Sequence, residues 1–303
     1  MGRFSCWLLI VPLLAACSSL QSPYEQPEHS PGPVQENGSF RVVTYNIAGL
    51  PEMISRSNPG RNTRIIGGLL NSFDLVLVQE DFFYHGELLR ASGHPFSSEP
   101  YAGWSLVGDG LNQLSVFPFT AVKRESWTDC NGYISASMDC LASKGFTFSR
   151  VSVAPGVEID VYNLHLDAGS SKQDDATRRS NINQLLQRVQ RLSADRAVII
   201  GGDTNLDLDD AAEAQLLEYF HRRGDLRIAC RETHCRRESK DRFLFRSGRN
   251  IRLDAVSWSV PAAFVDKHGV ALSDHEPVAV TYLWQVIPYP PSPEPRHSVD
   301  SYL

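Results

Sequence analysis

Beyond its opening segment this 303-residue chain has no long apolar run, which leaves the mature protein without a helical membrane span. Positive charge is also short. Lys and Arg number 29 against 35 Asp and Glu, a formal net charge of −6, and loss of Arg3 with the first sixteen residues would make it −7. Such a balance argues against a generic polyanion binder. Cysteine is scarce, six in all, and the residue patterns show no internal repeat.

The few cysteines locate the chain. "MGRFSCWLLIVPLLAAC" carries one positive charge, an apolar run too short to span a bilayer comfortably and small residues ahead of Cys17, the composition of an export signal. Leu14, Ala15, Ala16 and Cys17 further resemble the bacterial lipobox, which implies removal of residues 1–16 and lipidation of Cys17. The expected location is the cell envelope, anchored at the outer membrane. Cys130, Cys140, Cys230 and Cys235 remain, an even number in an exported chain. Local pairing, Cys130 with Cys140 and Cys230 with Cys235, is the simplest of three connectivities. A zinc site would want two short gaps, and only one gap here is short.

Residues 17–39 are polar and hold Pro23, Pro27, Pro31 and Pro33, so they cannot bury a core and read as a tether; residues 285–303 form a Pro-rich tail. Between them residues 40–284 are enough for one large domain, expected to be monomeric. Within it Arg227 to Arg252 holds nine Lys or Arg against Glu232, Glu238 and Asp241, the place for an anionic partner to approach unless the cations are spent in local ion pairs.

Apolar runs in this domain repeatedly stop at a polar group. In "VIIGGDTNLD" three β-favouring residues run into two glycines, which let the backbone turn, and then into Asp203, Thr204 and Asn205. Residues two apart on an extended segment face one way, so Asp203 and Asn205 would share a site; a strand followed by an Asx-turn is the plainer alternative. "FRVVTYNIAG" delivers Asn46, "DLVLVQED" Glu80 and "IDVYNLHLDAG" Asn163 and His165; "IRLDAVSW" holds Asp254, and "ALSDHEPVAV" puts Asp274 and His275 in a turn before the last strand. Ile182, Leu185, Leu186, Val189 and Leu192 recur at helical spacing after Ser171. A second helix is expected over Asp210 to Arg222 and a third around Ile65, Ile66, Leu69 and Leu70. Strands and helices mixed in this way predict an α/β fold.

Taken in order, "TYNIAGLP", "VQED", "NLHLDAG", "GGDTN", "RLDAV" and "SDHEP" resemble the endonuclease/exonuclease/phosphatase superfamily across Phe40 to Trp284. The resemblance implies a deoxyribonuclease I-like four-layer α/β sandwich, two mixed and mainly antiparallel sheets flanked by helices, and metal-dependent cleavage of phosphate esters. It makes Glu80 the first metal ligand with Asn46 and Asp274 in support, an oxygen-rich shell suited to Mg²⁺, with Mn²⁺ or Ca²⁺ as alternatives. It makes His275 the general base, Asp254 its partner, Asp203 the group that orients water or protonates the leaving oxygen, Asn205 a donor to phosphate and His165 a stabiliser of transition-state charge, with Asn163 placed to hold it. "GLNQLSVFP" falls on a family strand, with Asn112 and Gln113 where small or apolar residues stand.

The sphingomyelinase-like branch is the nearest in motif detail, and a lipid anchor would set such an enzyme among lipid head groups, so a phospholipase C-like phosphodiesterase is the first expectation. An exported nuclease acting on DNA or RNA, an inositol phosphate phosphatase and a non-catalytic binder of anionic ligands are the alternatives. For a membrane-entering aromatic loop, the stretch around Trp127 and Tyr133 is the candidate.

Overall fold

A computed structural model describes residues 35–51, 58–101, 108–131 and 143–288; the signal segment, Cys17, nearly all of the tether, Tyr133, Cys140 and most of the tail lie outside the described residues. The elements are, in chain order, β1 (Asn37–Asn46), α1 (Pro59–Leu69), β2 (Leu75–Gln79), α2 (His85–Ala91), β3 (Phe96–Ser97), β4 (Asn112–Ser115), β5 (Lys123–Ser126), β6 (Gly145–Ala154), β7 (Val157–His165), α3 (Lys172–Ser193), β8 (Val198–Asp203), α4 (Ala211–Gly224), β9 (Arg227–Ile228), α5 (Ala229–Glu232), β10 (Asp241–Arg246), β11 (Ile251–Ser259) and β12 (Val278–Val286). Each long helix starts on a capping residue. Asn58 accepts from Arg61 N–H ahead of Pro59, Ser171 and Asp174 form a reciprocal capping box, and Asp210 accepts from Ala212 and Glu213 N–H.

Strand residues alternate between faces, and here both faces are apolar, so each strand feeds two cores. Val42, Leu75, Leu77, Ile199, Phe243 and Val280 fill the space between the sheets. Their chain neighbours Val43, Val76 and Val78 pack outward against Ile66, Leu70 and Leu88. In the other sheet Val198, Ile200 and Leu244 pack outward against Ile182, Leu185, Leu217 and Phe220. Helix, sheet, sheet, helix is the expected four-layer sandwich. One six-stranded sheet runs β11-β12-β1-β2-β4-β3 and the other β5-β6-β7-β8-β10-β9. Each holds a single parallel pair, β1 with β2 and β7 with β8, among antiparallel neighbours.

The inner faces change character along their length. β1 turns Phe40, Val42, Thr44 and then Asn46 inward; β7 turns Ile159, Val161, Asn163 and then His165. Where apolar packing ends, buried amides tie the sheets together: Gln79 donates to Asn163 Oδ1 (2.7 Å) and to Thr44 Oγ1 (3.0 Å), and Ser149 Oγ donates to Gln113 Oε1 (2.8 Å). Asn163 thus bridges layers through Val78 O and Asn112 O, and is not the holder of His165. Asn112 and Gln113 belong to the same polar seam.

Two other expectations change. Trp127 is 8% exposed, stacked on Phe146, with its indole N–H donating to His165 O (2.8 Å); it belongs to a core and cannot enter a membrane. The basic stretch is largely spent internally. Arg227 pairs with Glu232 and Asp254, Arg231 with Glu218 and Glu238, Arg252 with Asp254 and Lys240 with Asp207, while buried Arg242 donates to Ser239 O and Leu206 O. Cys230 and Cys235 are joined, with Cα atoms 5.0 Å apart, and Cys130 is disulfide-bonded. No helix among the described residues is long and apolar enough to cross a membrane.

Candidate active site

Parallel pairing sets the C-terminal ends of β1 and β2, and of β7 and β8, side by side. In register Asn46 stands across from Gln79, the residue before Glu80, and His165 across from Asp203. β10 runs the other way, so its first residue reaches this edge: Asp241 is the partner of Asp203. The turn before β12 brings His275, its N–H on Ser273 Oγ (3.2 Å) while that hydroxyl donates to Asn46 O (2.7 Å).

These groups converge. Asn46 Nδ2 donates to Glu80 Oε1 (3.0 Å) and Asp203 Oδ2 (3.1 Å) and lies 3.5 Å from His275 Nε2. Asp203 Oδ2 also faces His165 Nε2 (3.3 Å) and His275 Nε2 (3.7 Å), and His275 Nδ1 is 2.7 Å from Asp241 Oδ2. His165, Asp203 and Asp241 are each 1% exposed, whereas the His275 side chain keeps 21%, so His275 is the member that solvent can reach. It opens on a cleft of about 590 Å³ shared with Asp207, Lys240 and Asp274.

In "GGDTN" the Asx-turn is present and Asp203 still faces the site. Asp203 Oδ1 accepts from Asn205 N–H (2.9 Å), an Asx-turn, while Oδ2 faces the site. Asn205 is left-handed (φ 47°) and donates to Leu166 O (3.0 Å), so it is held beside Asp203 by the turn and not by strand alternation. The glycines do not form the turn; they lie inside β8, where Gly202 (φ 145°) passes too close to the Leu164 carbonyl for any Cβ.

Three expected roles do not fit their positions. Asp254 pairs with Leu283, and Leu283 with Ser39, seven residues before Asn46, or about 23 Å along the strand. At that far end Asp254 binds Arg227 and Arg252, and Asp241 takes the place expected for it beside His275. Asp274 is exposed, takes only a 3.3 Å bond from Ser273 Oγ, and stands outside the acids joined by Asn46. Asn46 gives its amide oxygen to Ala48 N–H (3.1 Å) and so stands to the acids as a donor. A further residue that the motifs did not reveal is Lys144, whose charge lowers the pKa values of Glu80, His165 and Asp203.

The two imidazoles are driven apart. Burial, with the charge of Lys144 added, pushes His165 down to about 3, so it is neutral. Burial also opposes the His275 cation, but the Asp241 hydrogen bond and the charges of Asp203, Asp241 and Asp274 outweigh it and raise the ring to about 10. Glu80 is raised because burial outweighs the Asn46 bond and Lys144. For Asp203 burial is outweighed by His165, His275 and the Asn205 N–H, and it is lowered.

Such a basin fits a hard divalent cation. Ligand atoms of Asp203, Asp241 and His275 lie within 4.8 Å of one another, and Glu80 joins Asp203 through Asn46 Nδ2. Asp241 Oδ1 is buried without a partner, and one amide nitrogen of Asn46 serves two carboxylates, which leaves negative charge to be answered.

Comparison with known proteins agrees with this geometry. The chain is 35% identical over 271 residues to a sphingomyelinase of Mycobacterium tuberculosis, covering 81% of this chain and 53% of that protein, so it spans about half the length of that relative. Sphingomyelinase C of Streptomyces griseocarneus has the same fold, with TM-score 0.61 and 22% identity over 80% of this chain and 99% of that one. So does a mutant beta toxin of Staphylococcus aureus with bound magnesium ions, at TM-score 0.60 and 14% identity over 80% and 99%. Residues 43–275 match the Endonuclease/Exonuclease/phosphatase family, and the chain belongs to it.

Proposed function

We propose that this chain is a divalent-metal-dependent phosphodiesterase that hydrolyses the head-group phosphodiester of a sphingomyelin-type lipid, as a phospholipase C does. The observation that carries it is the exposed edge of His275, fixed at Nδ1 by buried Asp241 and set over a basin of three carboxylates. The kinship with sphingomyelinases supports the substrate class.

Asp241 accepts from Nδ1, and with a cation answering the carboxylates that hold the ring protonated, Nε2 would be free to take the proton of an attacking water. His165, neutral and sealed from solvent, acts through Asp203, fixing Oδ2 while the Asx-turn fixes Oδ1. Asp203 is then rigidly aimed to orient water or to serve the leaving oxygen, with Asn205 beside it as a donor. Glu80 and Asp203, linked by Asn46, would hold Mg²⁺, which supplies Lewis-acid neutralisation of the phosphate. Export and lipidation of Cys17, with an outer-membrane location, are part of the same proposal and rest on the Leu14–Cys17 pattern.

The test is a substrate panel on the full chain with Mg²⁺: sphingomyelin, phosphatidylcholine, plasmid DNA and inositol phosphates, each with and without chelator. Chelator-sensitive release of phosphocholine from sphingomyelin is expected; preferred turnover of DNA or inositol phosphate, or undiminished turnover after metal removal, overturns the reading. In a bacterial host, Cys17→Ser should move the protein from the membrane to the soluble fraction, and an unchanged distribution refutes the anchor.

A further inference from the structure

Glu80 stands just past β2 in the left-handed region, φ 56°, which a side chain with a Cβ occupies only when its surroundings insist. Its backbone is pinned on both sides: Gly49 N–H donates to Glu80 O (3.0 Å), and Asp81 N–H donates to Gly110 O (3.0 Å). Gly110 is itself left-handed (φ 66°), and a Cβ there would stand 2.5 Å from the Phe82 ring and 3.0 Å from Glu80 Cα. The turn that presents Glu80 is therefore packed against backbone that leaves no room.

The next residue is held just as firmly. Asp81 is 3% exposed; its Oδ2 is 2.5 Å from His85 Nδ1 and accepts from Asn112 Nδ2 (2.9 Å). Asn112 in turn accepts at Oδ1 from Arg124 (2.9 Å) and Ser98 Oγ (3.1 Å), and Arg124 grips both oxygens of Asp109 (2.8 and 2.9 Å). His85 is 8% exposed, and its Nε2 has no partner, so its one polar engagement beyond Asn112 is with Asp81. None of these bonds reaches Asn46, Asp203 or His275, and nothing in the proposed mechanism uses them.

We propose that Asp81 and His85 are a positioning pair: a buried carboxylate and imidazole that lock the Glu80 turn and so aim the Glu80 carboxylate at the cation. The inference rests on the reading of Glu80 as a metal ligand given above. An acid fixed by two donors cannot swing, and the residue before it inherits that rigidity through a shared peptide plane. Orientation of a ligand by the groups behind it is worth roughly 10–100-fold in metal affinity.

Mn²⁺ binding to metal-free full-length protein, read by electron paramagnetic resonance, tests this without turnover. His85→Ala should weaken Mn²⁺ at least about tenfold and shift the Mg²⁺ activation curve to match, with kcat at saturating metal within about threefold of native. His85→Asn, whose amide nitrogen falls where Nδ1 stands, should restore most of the affinity. Asp81→Asn should lose it, which keeps the comparison alive if His85→Ala does not fold. A lowered melting temperature with native Mn²⁺ affinity in both His85→Ala and Asp81→Asn would reduce the pair to a structural role and overturn the proposal. Glu80→Gln separates the two levels. If it binds Mn²⁺ as the native protein does, the ligand assignment falls and this inference with it; if it loses Mn²⁺ while His85→Ala and Asp81→Asn keep it, only the positioning role falls.

Discussion

Asp241 and Asp254 sit on successive strands and offer the same chemistry, yet only Asp241 lies within a hydrogen bond of His275. The difference is open to measurement. His275→Ala should lower kcat by at least ~10²-fold with folding unchanged, and Asp241→Asn should come close to it, because an amide can present a donor to Nδ1 and favour the wrong tautomer. Asp254→Asn, at a half-buried partner of Arg227 and Arg252 remote from the cleft, should leave kcat within about twofold. Loss of activity in Asp254→Asn with native Asp241→Asn would reverse the assignment. Asn46, Glu80, His165 and Asp203 could be singled out because each ends an apolar run where the chain must turn, and Asn205 and His275 because they sit in turns beside such runs. Asp241 was hidden. It opens a strand, and an antiparallel neighbour brings its beginning, not its end, to the edge where parallel strands finish.

At the level of elements the periodicities told most of the story. Helical spacing after Ser171 became α3, and the run from Asp210 became α4. What periodicity could not show was pairing order, since β2 meets β4, and β8 meets β10, through contacts remote in sequence. The α3 cap carries a prediction of its own. Burial raises the Asp174 carboxyl, but the hydrogen bonds from Asn131 and Ser171 and the charge of Arg178 outweigh it, and the net pKa is lowered. A carboxyl depressed on folding contributes stability that is fully present above its unfolded pKa of about 3.9 and is lost as pH falls through the lower folded value. Native protein should therefore lose melting temperature below about pH 4, and Asp174→Asn should start lower and show a flatter acid limb. Parallel acid limbs in the two proteins would remove this contribution.

Viewed whole, the domain begins and ends in one sheet. Asn37 pairs with Gln285 across β1 and β12, while Asn46 closes the other end of β1, about 30 Å away. A circular permutant with Glu36 joined to Ile287 by a short Gly-Ser linker and opened at exposed Gly156, in the turn leading into β7, should keep native kcat/KM. That cut lies at the opposite end of β7 from His165. Native melting temperature with lost activity would show that the site depends on the natural ends. Because Asn37 and Gln285 stand at the edge remote from the cleft, a tag or linker added at either end of the described domain would start on the side away from His275 and leave its basin clear.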